Sequence, residues 1–214
     1  MKIKKETLKL YAVTDSKYSL GNEGLFSEQV EYALRGGTTC LQLREKNLNE
    51  DVFLERAKKL KSICQKIGVP LIINDSVNIA KETDADGIHI GQEDMQISDA
   101  IKILGKDKII GVSVFNVKEA LLAEKMGATY LGVGSIFKTN SKPDAKIVTL
   151  CTLREICRSV KIPVVTIGGI NESNISELRG SGVSGVAIIS AIFSAKDIEK
   201  TTKKFKMLVT SILN

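Results

Sequence analysis

The sequence predicts an α/β fold, a single-domain (β/α)8 TIM barrel over residues 1–214. Three observations predict it. Short runs rich in Val and Ile alternate with longer stretches of helical periodicity from end to end. Eight such β-then-α units fit into 214 residues, near the lower end of the roughly 200 to over 400 residues of this barrel class. Polar residues collect just past the strands while the strand bodies stay apolar, and this fold carries its chemistry at the strand carboxyl ends. An open doubly wound sheet is the alternative reading of the same alternation.

Each element has a local reason. The first strand is read at Leu8–Thr14, and the helix after it at Ser27–Arg35, with Ser27 as N-cap and Gly36-Gly37 as the stop. Strand two, Thr38–Leu43, leads to a long helix over Asn49–Ile67, with Phe53, Ala57, Leu60 and Ile63 at helical spacing, ended by Gly68-Val69-Pro70. Strand three is Leu71–Asn74, then come a short helix at Val77–Glu82 and strand four at Gly87–Ile90. Ser98 is read as the cap of a helix to Leu104. Strand five, Ile109–Val112, precedes a helix over Val117–Lys125 that closes at Gly127. Strand six is Tyr130–Val133, and a long loop separates it from a helix at Thr149–Ser159. Strand seven is Val164–Ile167, followed by a short helix capped by Asn171 or Ser173 and ending at Gly180. Strand eight is Gly185–Ile189, and the last helix starts near Asp197.

Composition narrows the function classes. Apolar residues make up 43% and charged residues 26%, as in an ordinary soluble domain. The longest apolar runs, such as Gly185–Phe193, are too short to cross a bilayer, and Leu8–Thr14 is too short and too polar for a signal peptide, so the expected location is the cytoplasm. The net charge of +6, with lysines at Lys2, Lys4, Lys5, Lys203, Lys204 and Lys206, favours anionic ligands or simply solvates the termini. No nucleic-acid partner is expected, because only 5% of residues are aromatic, Trp is absent and no binding motif occurs. The four cysteines form no C-x-x-C pair and His89 is the sole imidazole, which argues against a zinc site or a disulfide framework. Whether the chain forms a homo-oligomer is left open.

The strand ends supply the candidate site. Gln42 and Arg44 share parity on strand two and point to the barrel mouth, leaving Leu41 and Leu43 to the helices. Arg44 and Lys46 bring positive charge; an ordinary surface cluster is the bland reading of Arg44-Glu45-Lys46. Asp75 and Asp94 are hard oxygen ligands on separate loops, suited to Mg2+, while a helix N-cap for Asp75 and a turn for Asp94 stand as alternatives. Gly168-Gly169 after strand seven and Ile189-Ser190 after strand eight match the phosphate site of many barrels, with a plain tight turn as the alternative for the two glycines. Thr139, Ser141 and Lys142 offer a second anion-binding strip in the long loop, with an ordinary solvated loop lysine as the alternative for Lys142. His89, a lone histidine near a strand end, is read as a packed residue and left outside the site.

In order and spacing the motifs resemble those of thiamine-phosphate synthases. They are Tyr11-Ala12-Val13-Thr14-Asp15, Gln42-Leu43-Arg44-Glu45-Lys46, Asn74-Asp75, His89-Ile90-Gly91-Gln92-Glu93-Asp94, Gly111-Val112-Ser113, Gly132 through Lys142, Ile167-Gly168-Gly169-Ile170 and Val186 through Ile192. The resemblance implies a transferase that joins hydroxymethylpyrimidine pyrophosphate to a thiazole phosphate, or its carboxylated form, with Mg2+ and without a covalent enzyme intermediate. It implies that Gln42, Arg44, Lys46, Asn74, Ser113 and Lys142 contact the pyrimidine pyrophosphate, with Arg44, Lys46, Ser113 and Lys142 catalytic. It further implies Asp75 and Asp94 as Mg2+ ligands, and Thr139, Ser141, Gly168, Gly169, Ile189 and Ser190 around the thiazole phosphate. The chain departs from the family pattern at Ser76, where Arg is frequent, at Lys138, where Pro is frequent, and at Asn140 and Val114-Phe115. Two other readings are a thiazole tautomerase of the same superfamily and a non-catalytic binding protein of the same pathway.

Overall fold

The computed structural model describes residues 3–46, 48–139, 141 and 146–213. Eight strands run β1 (Leu10–Val13), β2 (Cys40–Leu43), β3 (Leu71–Asn74), β4 (Gly87–Ile90), β5 (Ile109–Val114), β6 (Tyr130–Val133), β7 (Val164–Ile167) and β8 (Gly185–Ile188). All neighbours are parallel, and β8 returns to β1 with Leu10 opposite Val186, so the sheet is a closed barrel and not an open one. Around it lie α1 (Glu23–Arg35), α2 (Glu50–Ile67), α3 (Val77–Glu82), α4 (Ile97–Leu104), α5 (Val117–Met126), α6 (Leu150–Ser159), α7 (Ser190–Phe193) and α8 (Ile198–Leu213). Among the described residues no helix is long and apolar enough to cross a membrane.

Strand parity sorts the side chains into two layers. Outward residues such as Leu41, Leu43, Ile73, Ile88 and Leu131 are buried against the helices in one large apolar shell. Inward residues such as Tyr11, Val13, Cys40, Ile72, Tyr130 and Val165 fill the barrel as a separate, smaller cluster. The parity expected for β2 therefore holds, with Leu41 and Leu43 outside and Gln42 inside.

Several boundaries differ from the sequence expectation, each for a local reason. α1 starts a turn before Ser27: Asn22 is its cap and accepts from the Leu25 N–H at 2.9 Å, while the Ser27 hydroxyl donates back to the Glu23 carbonyl. Ser98 is likewise inside α4, whose cap position is Gln96 without a side-chain bond. The first strand begins only at Leu10, because Lys5–Leu8 is a 3-10 turn. No α-helix follows Asn171 or Ser173. The segment is a 3-10 turn, Ile175–Leu178, and the Asn174 side chain is spent on the Asn171 N–H and the Gly169 carbonyl. β5 runs on to Val114, which places Ser113 within the strand.

Candidate active site

A cavity of about 450 Å³ opens at the carboxyl ends of the strands. Gln42, Arg44, Lys46, Asn74, Asp75, Asp94, Ser113, Thr139, Ser141, Gly168, Gly169, Ile189 and Ser190 all line it. Lys142 lies outside the described residues. The strand-end rule thus brings distant loops to one site, although no single segment of the sequence contains it.

One side of the mouth is charged. Beyond β2 the chain keeps its alternation, and the Arg44 N–H donates to Thr14 Oγ1 at 3.0 Å. Arg44 and Lys46 border the cavity, while the Glu45 side chain turns the other way and is only 2% exposed. There it pairs with Arg56 of α2, whose side chain is 3% exposed, also pairs with Glu23 of α1 and lies 4.2 Å over the Phe26 ring. This buried network fixes the strand extension from behind and so fixes where Arg44 and Lys46 leave it. Sequence reasoning missed it. The available signal was Arg56 itself, a charge set next to Ala57 on the apolar face of α2.

Opposite β2, Lys46 Nζ lies 2.7 Å from Asp75 Oδ2. Asp75 is not the cap of α3. That place belongs to Ser76, whose hydroxyl accepts from the Ile79 N–H, so the departure from the family pattern at this position serves the helix. Asp75 instead holds a left-handed backbone at φ 62°, with its N–H on the His89 carbonyl. Asp94 does act in a turn, accepting from the Gly91 N–H at 2.6 Å. Burial raises its carboxyl above the usual range and the neighbouring Asp75 carboxylate adds to this, whereas the Gly91 N–H and Lys46 oppose it. Two adjacent carboxylates, one of them with its charge disfavoured by burial, suit a small divalent cation.

The far side is built from backbone. Gly168 and Gly169 have φ of 106° and 64°, open to glycine at little cost. The Gly168 carbonyl accepts from the Phe137 N–H at 3.0 Å, and the Gly169 carbonyl accepts from Asn171 and Asn174. Peptide planarity then turns the N–H groups of Gly169 and Ile170 away from these partners. The Thr139 hydroxyl accepts from the Ser141 N–H at 3.2 Å, and both residues line the cavity with the two glycines.

The floor is different again. Gln42 Nε2 donates to Tyr11 OH at 2.9 Å, and Tyr11 OH lies 2.8 Å from Tyr130 OH. Tyr130 OH is 2.9 Å from His89 Nδ1, and His89 Nε2 is 2.9 Å from Ser113 Oγ. Burial pushes both tyrosine hydroxyls well above their usual range and holds the imidazole down at about 4. The floor is therefore uncharged near neutral pH. His89, excluded by the sequence reading, is a cavity residue, as are Tyr11, Tyr130 and Phe115. The overlooked signal was glycine inside strands: a Cβ on Gly111 would sit 2.2 Å from Tyr130 Cζ, and one on Gly132 2.8 Å from His89 Cε1.

Residues 10–192 match the family model described as thiamine monophosphate synthase. The chain belongs to that family. It is 52% identical over 191 residues to a thiamine-phosphate synthase of Clostridium acetobutylicum, covering 89% of this chain and 90% of the relative. It is 45% identical over 210 residues to thiamine-phosphate synthase 2 of Streptococcus pneumoniae, covering 98% and 99%. The solved thiamine phosphate pyrophosphorylase of Pyrococcus furiosus superposes with a TM-score of 0.89 at 42% identity, covering 98% and 99%. By contrast, an N-acetylmannosamine-6-phosphate 2-epimerase of Clostridium perfringens, at 17% identity and a TM-score of 0.66 over 94% and 93%, shares the fold alone.

Proposed function

We propose that this chain joins an aminopyrimidine, activated as its hydroxymethyl pyrophosphate, to a thiazole phosphate, giving thiamine phosphate and pyrophosphate in the cytoplasm. One observation carries the reading: a single cavity holds Arg44, Lys46, Asp75 and Asp94 on one side and Gly168-Gly169 with Thr139 and Ser141 on the other. The first set suits a pyrophosphate leaving group and the second a monophosphate. Family membership supports both halves.

Asp75 and Asp94 would hold Mg2+, which neutralises charge on the departing pyrophosphate. Mg2+ is commonly held by one or two carboxylates together with water and substrate phosphates, and the pair Asp75 and Asp94 fits that pattern. Arg44 and Lys46, with Lys142, stabilise the negative charge that grows as the carbon–oxygen bond breaks and its electron pair leaves with pyrophosphate. The pyrimidine methylene cation left behind is held by Gln42, Asn74 and Ser113 beneath it. The thiazole nitrogen, positioned through its phosphate at Gly168, Gly169, Ile189 and Ser190, then donates its lone pair to form the new carbon–nitrogen bond. No residue needs to act as a nucleophile.

A thiazole tautomerase would have no use for the paired carboxylates and cations of the pyrophosphate side. A non-catalytic binding protein would bind both substrates without turnover. Purified protein mixed with both substrates and Mg2+ should release pyrophosphate and thiamine phosphate in equal amounts, and EDTA should stop it. Absence of product, or product formed equally with EDTA, would overturn the proposal.

A further inference from the structure

The hydrogen bonds on the floor form one file: Gln42, Tyr11, Tyr130, His89, Ser113. A tyrosine hydroxyl has one hydrogen, and each of these two meets a partner on either side. Tyr11 and Tyr130 are 1% and 0% exposed, so each hydroxyl accepts from one neighbour and donates to the other. The buried Cys40 thiol also lies against Tyr11, but sulfur is a weaker acceptor than a phenol oxygen, so the file points in one sense along its whole length.

Gln42 sets that sense. Its amide nitrogen donates and cannot accept, so Tyr11 accepts from it and donates to Tyr130. Tyr130 in turn donates to His89 Nδ1, which must carry a lone pair. The imidazole proton is left on Nε2, donated to Ser113 Oγ. The Ser113 hydroxyl, having accepted, keeps its own hydrogen for the cavity that it lines. The barrel is shaped for this file, since any side chain at Gly111 or Gly132 would strike the Tyr130 or His89 ring.

We propose that the Gln42–Tyr11–Tyr130–His89 file is a tautomer lock that makes Ser113 a hydrogen-bond donor to the ligand. The cavity thereby favours an acceptor atom at that point, such as an unprotonated ring nitrogen, because an amino group or a protonated ring nitrogen there would leave the Ser113 hydrogen without a partner. An aminopyrimidine offers both kinds of atom side by side, so the lock fixes which way round the ring is bound. The identity of the ring rests on the proposed function; the lock does not. His89, Tyr130 and Tyr11 are positioning residues in this scheme, acting through Ser113.

The test uses the fact that the chain has one histidine. With 15N-labelled histidine, NMR of the whole protein at neutral pH reads the His89 tautomer directly. The expected spectrum has the proton on Nε2 and a bare Nδ1. A proton on Nδ1, an averaged mixture or an imidazolium would overturn the lock. Gln42→Glu reverses the sense at alkaline pH, because a carboxylate can only accept, and should move the proton to Nδ1; an unchanged tautomer in that folded variant would also overturn it. Tyr130→Phe should raise KM for the pyrimidine substrate roughly tenfold with kcat within about threefold, the size expected for one hydrogen bond in recognition. An unchanged KM, or a loss confined to kcat, would contradict the role of the file. Lack of thiamine phosphate formation by the wild type would defeat the proposed function and leave the tautomer result standing.

Discussion

The mouth and the floor of this cavity are both polar, yet they are built on opposite principles. At the mouth, Arg44, Lys46, Asp75 and Asp94 are charged, and the Lys46–Asp75 pair is partly open to solvent, with side chains 52% and 31% exposed. On the floor, Gln42, Tyr11, Tyr130 and His89 are neutral, linked head to tail and largely enclosed. Charge at a wet surface can follow an ion as it arrives and leaves. An enclosed hydrogen-bond file has no such freedom, and its value lies in holding one arrangement. Under the proposed function this difference becomes a division of labour: the mouth would manage the pyrophosphate, and the floor would fix the orientation of the ring.

The largest effect is expected behind the mouth. Arg56→Ala would leave Glu45 buried without its cation and should destabilise the protein by about 3–5 kcal/mol in denaturant unfolding. A change below about 1 kcal/mol would mean that the network does not hold the β2 extension. Next, Asp75→Asn should lower kcat roughly 100- to 1000-fold while leaving the far-ultraviolet circular dichroism unchanged. Loss of the folded spectrum would return Asp75 to a structural role.

The floor gives the third effect, through pH. His89 is neutral in the folded protein with a pKa of about 4, below its unfolded value near 6.5. Between these values the unfolded chain binds a proton that the folded chain does not, so stability is full above about 6.5 and falls as the pH drops toward 4. The loss should reach up to about 3 kcal/mol, and His89→Asn should remove that part of the slope. An identical pH profile for variant and wild type would show that the imidazole is not held neutral. The smallest effect belongs to the exposed pair: Lys46→Met should change stability by less than about 1 kcal/mol. A larger loss would contradict the picture of a solvated mouth.

The two regions also differed in how far the sequence disclosed them. The mouth was legible because charges after apolar strands stand out, and strand parity aims Gln42 and Arg44 the same way. Its support was harder to see. Glu45 reads as one more charge in Arg44-Glu45-Lys46, and only the fold brings it to Arg56 and Glu23 from two different helices. The cap reading of Asp75 failed because Ser76, the next residue, is the cap of α3. On the floor, Tyr11 and Tyr130 look like ordinary strand residues, and their hydroxyls meet only because the barrel closes. Gly111 and Gly132 were the legible trace, since glycine within a strand marks a close approach. The caps at Ser27 and Ser98 failed for a simpler reason: Asn22 competes equally well as a cap, and α4 begins without any side-chain cap.

The division of labour is tested most directly by measuring thiamine phosphate formation for wild type, Asp75→Asn and Tyr130→Phe side by side across pyrimidine pyrophosphate concentration. The expected result is a wild type silenced by EDTA, a mouth variant that loses kcat, and a floor variant that loses apparent affinity while keeping kcat within about threefold. A floor variant that loses kcat as deeply as the mouth variant, with KM unchanged, would contradict it.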